Sequence, residues 1–140
     1  MTQTRIYVPL TPDDVRRLAT ERQIGPAPVA AFSVTERVER ADATGLEEEW
    51  EYAALTEAVD AAAELQGTSV AKRVVAAADV DPGSVSADGT RDGLGAVTVS
   101  TVLPLARVVS FHVDETAGDQ GMGDLLWYDA TELDEVLRLL

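Results

Sequence analysis

Apolar and polar positions recur at two different periods along the chain, and the switches between them mark the elements. Arg5-Ile6-Tyr7-Val8 is a short run of strand type, and Pro9 is expected to end it. Thr11-Pro12-Asp13-Asp14 has the form of a helix start. Threonine is a cap residue, proline suits the first helical position, and acidic residues complement the positive end of the helix. Val15, Leu18, Ala19 and Arg22 then share a helical face, which Gly25-Pro26 is expected to stop. Val29 to Val34 returns to strand character, and Thr35 to Arg40 has the mixed charge of a short helix.

The longest periodic segment runs from Leu46 to Gln66 and predicts a helix. Thr44-Gly45-Leu46-Glu47 before it has capping-box spacing. Ala54, Leu55, Ala58, Val59, Ala61, Ala62 and Leu65 gather on one broad side, and small alanines there suit close packing on a sheet. Glu49, Glu57, Asp60 and Glu64 are expected on a solvated acidic face. Lys72 to Val80 is apolar at odd and even positions alike, the pattern of an interior strand. A Gly-, Asp- and Ser-rich loop from Asp81 to Gly95 separates it from two strand patterns, Ala96 to Val102 and Arg107 to Asp114. After a polar, mobile loop over Thr116 to Gly123, Leu125-Leu126-Trp127-Tyr128 reads as a strand. Asp129-Ala130-Thr131-Glu132 caps a final helix with Leu133, Val136, Leu137 and Leu140 on one stripe. The order β-α-β-α-β-β-β-β-α predicts a single α+β domain over residues 1–140. Its sheet is expected to be mixed or largely antiparallel, with two or three helices mainly on one face.

Composition changes this picture in three ways. A 46% hydrophobic content over 140 residues supports a packed core and excludes global disorder. A formal net charge of −14 argues against direct nucleic-acid binding and against docking on an anionic membrane. The absence of Cys, with His112 as the one histidine, removes disulfides, thiolate chemistry and His-rich zinc sites. No signal-peptide pattern or run of membrane-spanning length is visible, so the expected location is cytoplasmic. Lys72 is the one lysine beside ten arginines, a skew that fits high genomic GC content first and adaptation to salt second.

Candidate chemistry is thin. Asp88, Thr90, Asp92 and Gly93 resemble the opening of a calcium loop, but Val99 stands at its twelfth position, where a bidentate glutamate belongs. Asp88 and Asp92 are therefore weak metal candidates, and turn formation accounts for the same residues. Ser110, His112 and Asp114 alternate onto one strand face. Neighbours two apart on a strand lie about 6.5–7 Å from each other, too far for a serine–histidine hydrogen bond, so a partly solvated polar face explains them. His112 remains a candidate general base with a carboxylate from elsewhere. Glu51 is the anomaly: the helical pattern puts it among alanines, where a carboxylate needs a partner, and Arg5 or Arg73 is the expected one. Trp50, Tyr52, Trp127 and Tyr128 are expected to close the core, with a partner interface as the alternative. No phosphate-binding or dinucleotide fingerprint occurs and no cofactor is implied.

Several stretches taken in order carry a resemblance: Arg5-Ile6-Tyr7-Val8-Pro9, Glu48-Glu49-Trp50-Glu51-Tyr52-Ala53-Ala54, Arg73-Val74-Val75-Ala76-Ala77-Ala78-Asp79-Val80, His112-Val113-Asp114 and Leu126-Trp127-Tyr128. Together they resemble an uncharacterised actinobacterial family, a domain of unknown function covering nearly the whole chain. Trp50 and the shorter glycine-rich segment around Gly118 to Gly123 depart from its usual pattern. The resemblance implies a stand-alone cytoplasmic protein of high-GC bacteria and brings no activity with it. The expected function is a non-catalytic interaction or regulatory domain meeting a basic protein partner through Glu49, Glu57, Asp60 and Glu64. The alternatives are a small hydrolase using His112 with Asp114, Glu51 or Asp79, and a nucleic-acid mimic.

Overall fold

The computed structural model describes residues 2–87, 92–123 and 125–140. In chain order its elements are β1 (Thr4–Leu10), α1 (Pro12–Glu21), β2 (Gln23–Ile24), β3 (Val29–Phe32), α2 (Glu36–Ala41), α3 (Glu47–Leu65), β4 (Val74–Val80), β5 (Val85–Ser86), β6 (Ala96–Val99), β7 (Leu103–Pro104), β8 (Val108–Asp114), β9 (Leu125–Asp129) and α4 (Leu133–Leu139). Seven strands form one sheet in the order β5-β6-β3-β1-β4-β8-β9, and every neighbouring pair in it is antiparallel. β2 and β7 make a separate two-stranded pair. This is an α+β architecture.

The sheet is covered on both sides because its central strands turn apolar residues toward both faces. Val74, Ala76, Ala78 and Val80 of β4 point into a core with Ile6, Val8 and Leu10 of β1, Val15 and Leu18 of α1, and Leu133 and Val136 of α4. Val75 and Ala77 point the other way, toward Tyr7, Phe32 and the alanines Ala54, Ala58, Ala61 and Ala62 of α3. The helices are therefore divided between the faces, α3 on one and α1 with α4 on the other, instead of lying mainly on one. A strand apolar at odd and even positions needs both faces covered. Alanine lines both partners at the α3 contact, so the helix backbone can approach the sheet closely.

Local signals decided most element boundaries. Thr11 caps α1, accepting from Asp14 N, while the Asp14 side chain answers Thr11 N. The helix ends earlier than the Gly25-Pro26 signal: Arg22 takes a left-handed conformation at φ 63° and its N–H closes on Leu18 O at 2.8 Å. Pro9 does not end β1. β4 holds the strand to Leu10 through Pro9↔Val75 and Leu10↔Val74, while registered pairing with β3 is confined to Tyr7↔Phe32. At the start of α3 the cap is Leu46, and Glu49 rather than Glu47 reaches back, to Leu46 N at 3.0 Å. Thr44 is left outside because Asp42 to Gly45 forms a turn, closed by Gly45 N on Asp42 O and by the Trp50 indole on the same oxygen.

Candidate functional site

The β1–β4 register sets Arg5 directly opposite Asp79. The Arg5 Nε donates to Asp79 Oδ1 at 2.6 Å and Nη2 donates to Oδ2 at 3.1 Å, a two-pronged pair with both side chains about one-third exposed. Two residues on, Tyr7 shares that face of β1 by strand alternation. Its hydroxyl donates to Glu51 Oε2 at 2.6 Å, where the second turn of α3 crosses the strand. Together with Gln3, Leu46, Glu47 and Glu48, these four residues line an open cleft of about 880 Å³ between the first turns of α3 and the β1–β4 ladder.

The electrostatics of the cleft follow from these contacts. The hydrogen bond to Asp79 holds the Arg5 guanidinium above its ordinary pKa, against the opposing effect of burial. Burial pushes the Tyr7 phenol well above the usual tyrosine range, and the Glu51 carboxylate adds to the rise by holding the phenolic proton. Four carboxylates, Glu47, Glu48, Glu51 and Asp79, thus face one guanidinium already taken by Asp79. Among the described residues, Glu47, Glu48 and Glu51 have no basic partner.

A family model matches residues 4–137. The chain belongs to the family of unknown function DUF6912. No curated protein and no solved structure matches it. Membership supplies no residue roles, so those come from where the fold puts each side chain.

Glu51 is half-buried beside Arg5 and Tyr7, but its hydrogen-bond partner is the tyrosine; neither Arg5 nor Arg73 pairs with it. Arg73 is instead closed on Asp114, with Nε–Oδ2 at 2.9 Å, Nη2–Oδ1 at 2.8 Å and the backbone N of Arg73 on Oδ2 at 2.6 Å. Arg73 and Asp114 are both buried, and Nη2 also donates to Gly121 O at 2.6 Å, which ties the loop before β9 to the sheet. Ser110, His112 and Asp114 do share one face, but Ser110 and Asp114 are sealed from water instead of partly solvated, because Met122 and Leu125 pack in beside that layer. His112 pairs in register with Val75 and Trp127, level with Pro9 rather than with Arg5, and is not among the residues lining the cleft. Burial lowers its pKa first, and the charge of Arg5 lowers it further. The hydrolase set is therefore dispersed: Glu51 and Asp79 line the cleft, while Asp114 is committed to Arg73.

The residues expected on the acidic helix face also part company. Asp60 and Glu64 are exposed. Glu49 is exposed but closes the α3 cap. Glu57 is half-buried and accepts from Leu94 N and Gly95 N, both at 2.8 Å, so it anchors the β5–β6 connection instead of facing solvent. Glycine is needed there: Gly93 has φ +140°, and a Cβ on Gly95 would come within 2.7 Å of Ser33 O and 2.9 Å of Glu57 Oε2. Asp92 is exposed, Asp88 lies outside the described residues, and no group of three or more His, Asp or Glu among the described residues is placed to hold a metal. Tyr52 and Trp127 are 56% and 61% exposed, so neither closes the core; Trp127 lies on an edge strand and Tyr52 on the outer side of α3. No helix among the described residues is long and apolar enough to cross a membrane.

Sequence reasoning passed over Tyr7 as part of this site. The available signal was its spacing of two from Arg5, which puts both on one strand face.

Proposed function

We propose that the chain is a protein-interaction module whose cleft at the start of α3 receives a basic side chain, lysine or arginine, from a partner. One observation carries the reading: Glu47, Glu48 and Glu51 converge on a cleft whose one cation among the described residues, Arg5, is already tied to Asp79. An incoming ammonium or guanidinium finds carboxylates without a basic partner there, Glu47 and Glu48 exposed at the mouth and Glu51 half-buried, each able to accept a charge-assisted hydrogen bond. Leu46 lines the cleft and Tyr52 follows Glu51 on the helix. Both are exposed, which offers apolar area to the residues flanking the basic side chain. Asp60 and Glu64 add to the long-range field that draws such a partner in.

The test is a titration of fluorescently labelled Arg- and Lys-rich peptides against the protein at low and physiological salt. Binding is expected at low salt and should weaken steeply as salt rises. The triple variant E47Q/E48Q/E51Q should lose at least about tenfold in affinity, the scale of one or two charge-assisted hydrogen bonds. The control D60N/E64Q removes charge from the exposed face alone and should change affinity by less than about twofold. Equal losses in both variants would mean that net charge, not the cleft, attracts the peptide, and would overturn the proposal.

A further inference from the structure

A second cavity, of about 590 Å³, shares no lining residue with the cleft. It is bounded by the start of α1, the end of α3 with the segment leading to β4, and the end of α4. We propose that it binds a small amphipathic carboxylate, with the head group on Lys72 and the apolar body among Leu65, Val70, Leu139 and Leu140.

Three observations support this independently. The first is size and lining, since the volume falls within the range of small-molecule sites and the walls combine aliphatic residues with a few polar ones. The second is charge. Lys72, the one lysine of a chain with net charge −14, lines this cavity half-buried and has no carboxylate partner among the described residues. Of the charged side chains lining it, Asp13 and Arg16 answer each other at 2.8 Å, which leaves Lys72 as the one without a partner among the described residues. One unbalanced positive charge matches a monoanionic head better than a phosphate dianion. The third is Gln66 in the same wall, whose Nε2 is the one buried side-chain polar atom without a hydrogen-bond partner among the described residues. A buried donor left unpaired costs about 1–3 kcal/mol. Gln66 lines the cavity, so this unpaired donor lies in its wall.

Octanoate serves as the probe, followed by calorimetry and by amide chemical shifts, with 1-octanol as its uncharged counterpart. The expected result is saturable binding of one octanoate, with the largest shifts at residues 65–72 and 139–140. Octanol should bind at least about tenfold more weakly, the value of one charge-assisted hydrogen bond. Lys72→Met should remove that difference, leaving octanoate no better than octanol, while Lys72→Arg keeps it. Amide spectra of both variants report whether the fold is intact. Salt separates this site from the cleft: octanoate is repelled by the net −14, so its binding should hold or tighten as salt rises, and E47Q/E48Q/E51Q should leave it intact. No saturation by about 1 mM octanoate, equal affinity for octanol, or an unchanged Lys72→Met variant each overturns the proposal.

Discussion

Replacing Asp114 by alanine tests the electrostatic account of the fold most directly. The carboxylate accepts from Arg73 N, Nε and Nη2, and the two residues are 1% and 5% exposed. Removing it leaves a guanidinium in a dry layer with Gly121 O as its remaining partner. Breaking a buried pair from one side costs about 3–5 kcal/mol, because the surviving charge keeps its desolvation penalty. That is a third or more of the total stability of many domains, about 5–15 kcal/mol. Urea unfolding followed by circular dichroism should show the midpoint falling by more than about 1 M at a slope near that of the parent. The double variant R73M/D114L removes both charges and fills the space with apolar atoms, so it should recover most of the loss. The effect should change little with salt, since a buried pair is poorly screened. A loss below about 1 kcal/mol for D114A, or a double variant as unstable as D114A, would refute the argument that an uncompensated buried charge is what costs the stability.

Three further outcomes concern Tyr7, His112 and Glu57. Tyr7 stays protonated in the fold at pH values where the unfolded chain ionises, near pH 10, so stability present below that pH is lost as pH rises above it. Tyr7→Phe should cost about 1–2 kcal/mol at pH 7 and flatten the alkaline decline, read from urea midpoints against pH; an unchanged decline counts against Tyr7 ionisation as its source. His112 resists protonation in the fold, so stability present above about pH 6.5 falls as pH drops through its lowered folded value. As the single histidine, its ring resonances give an unambiguous NMR titration, and a midpoint at or above 6.5 contradicts the burial described. Glu57→Ala should free the amides of Leu94 and Gly95, raising their hydrogen-exchange rates while those of β4 stay protected; unchanged rates at Leu94 and Gly95 show that Glu57 does not anchor that connection.

Much of the fold was legible locally. The Thr11-Pro12 start of α1, the long alanine-faced helix, the doubly apolar β4 and the capped last helix each follow from interactions within a few residues, which the order of side chains specifies directly. The pattern also singled out Glu51 as the one carboxylate on an apolar helix face, and DUF6912 membership bears out the resemblance seen in the ordered motifs.

Partner choice was not legible, because it depends on register between strands far apart in sequence. Arg5 meets Asp79 across 74 positions, and Arg73 meets Asp114 across 41. Both arginines stood as equal candidates for Glu51 until the sheet was assembled. The antiparallel pairing then gave each a carboxylate of its own and left Glu51 to a tyrosine. Likewise, helical spacing set Glu57 among solvated residues, and only the return of the chain at Leu94 and Gly95 made it an anchor. The sequence by itself determined where the long elements lie, which sides are apolar and how acidic the whole is. Tertiary structure alone decided which charges are satisfied, since the nearest opposite charge in space is set by strand register and helix placement rather than by neighbours along the chain.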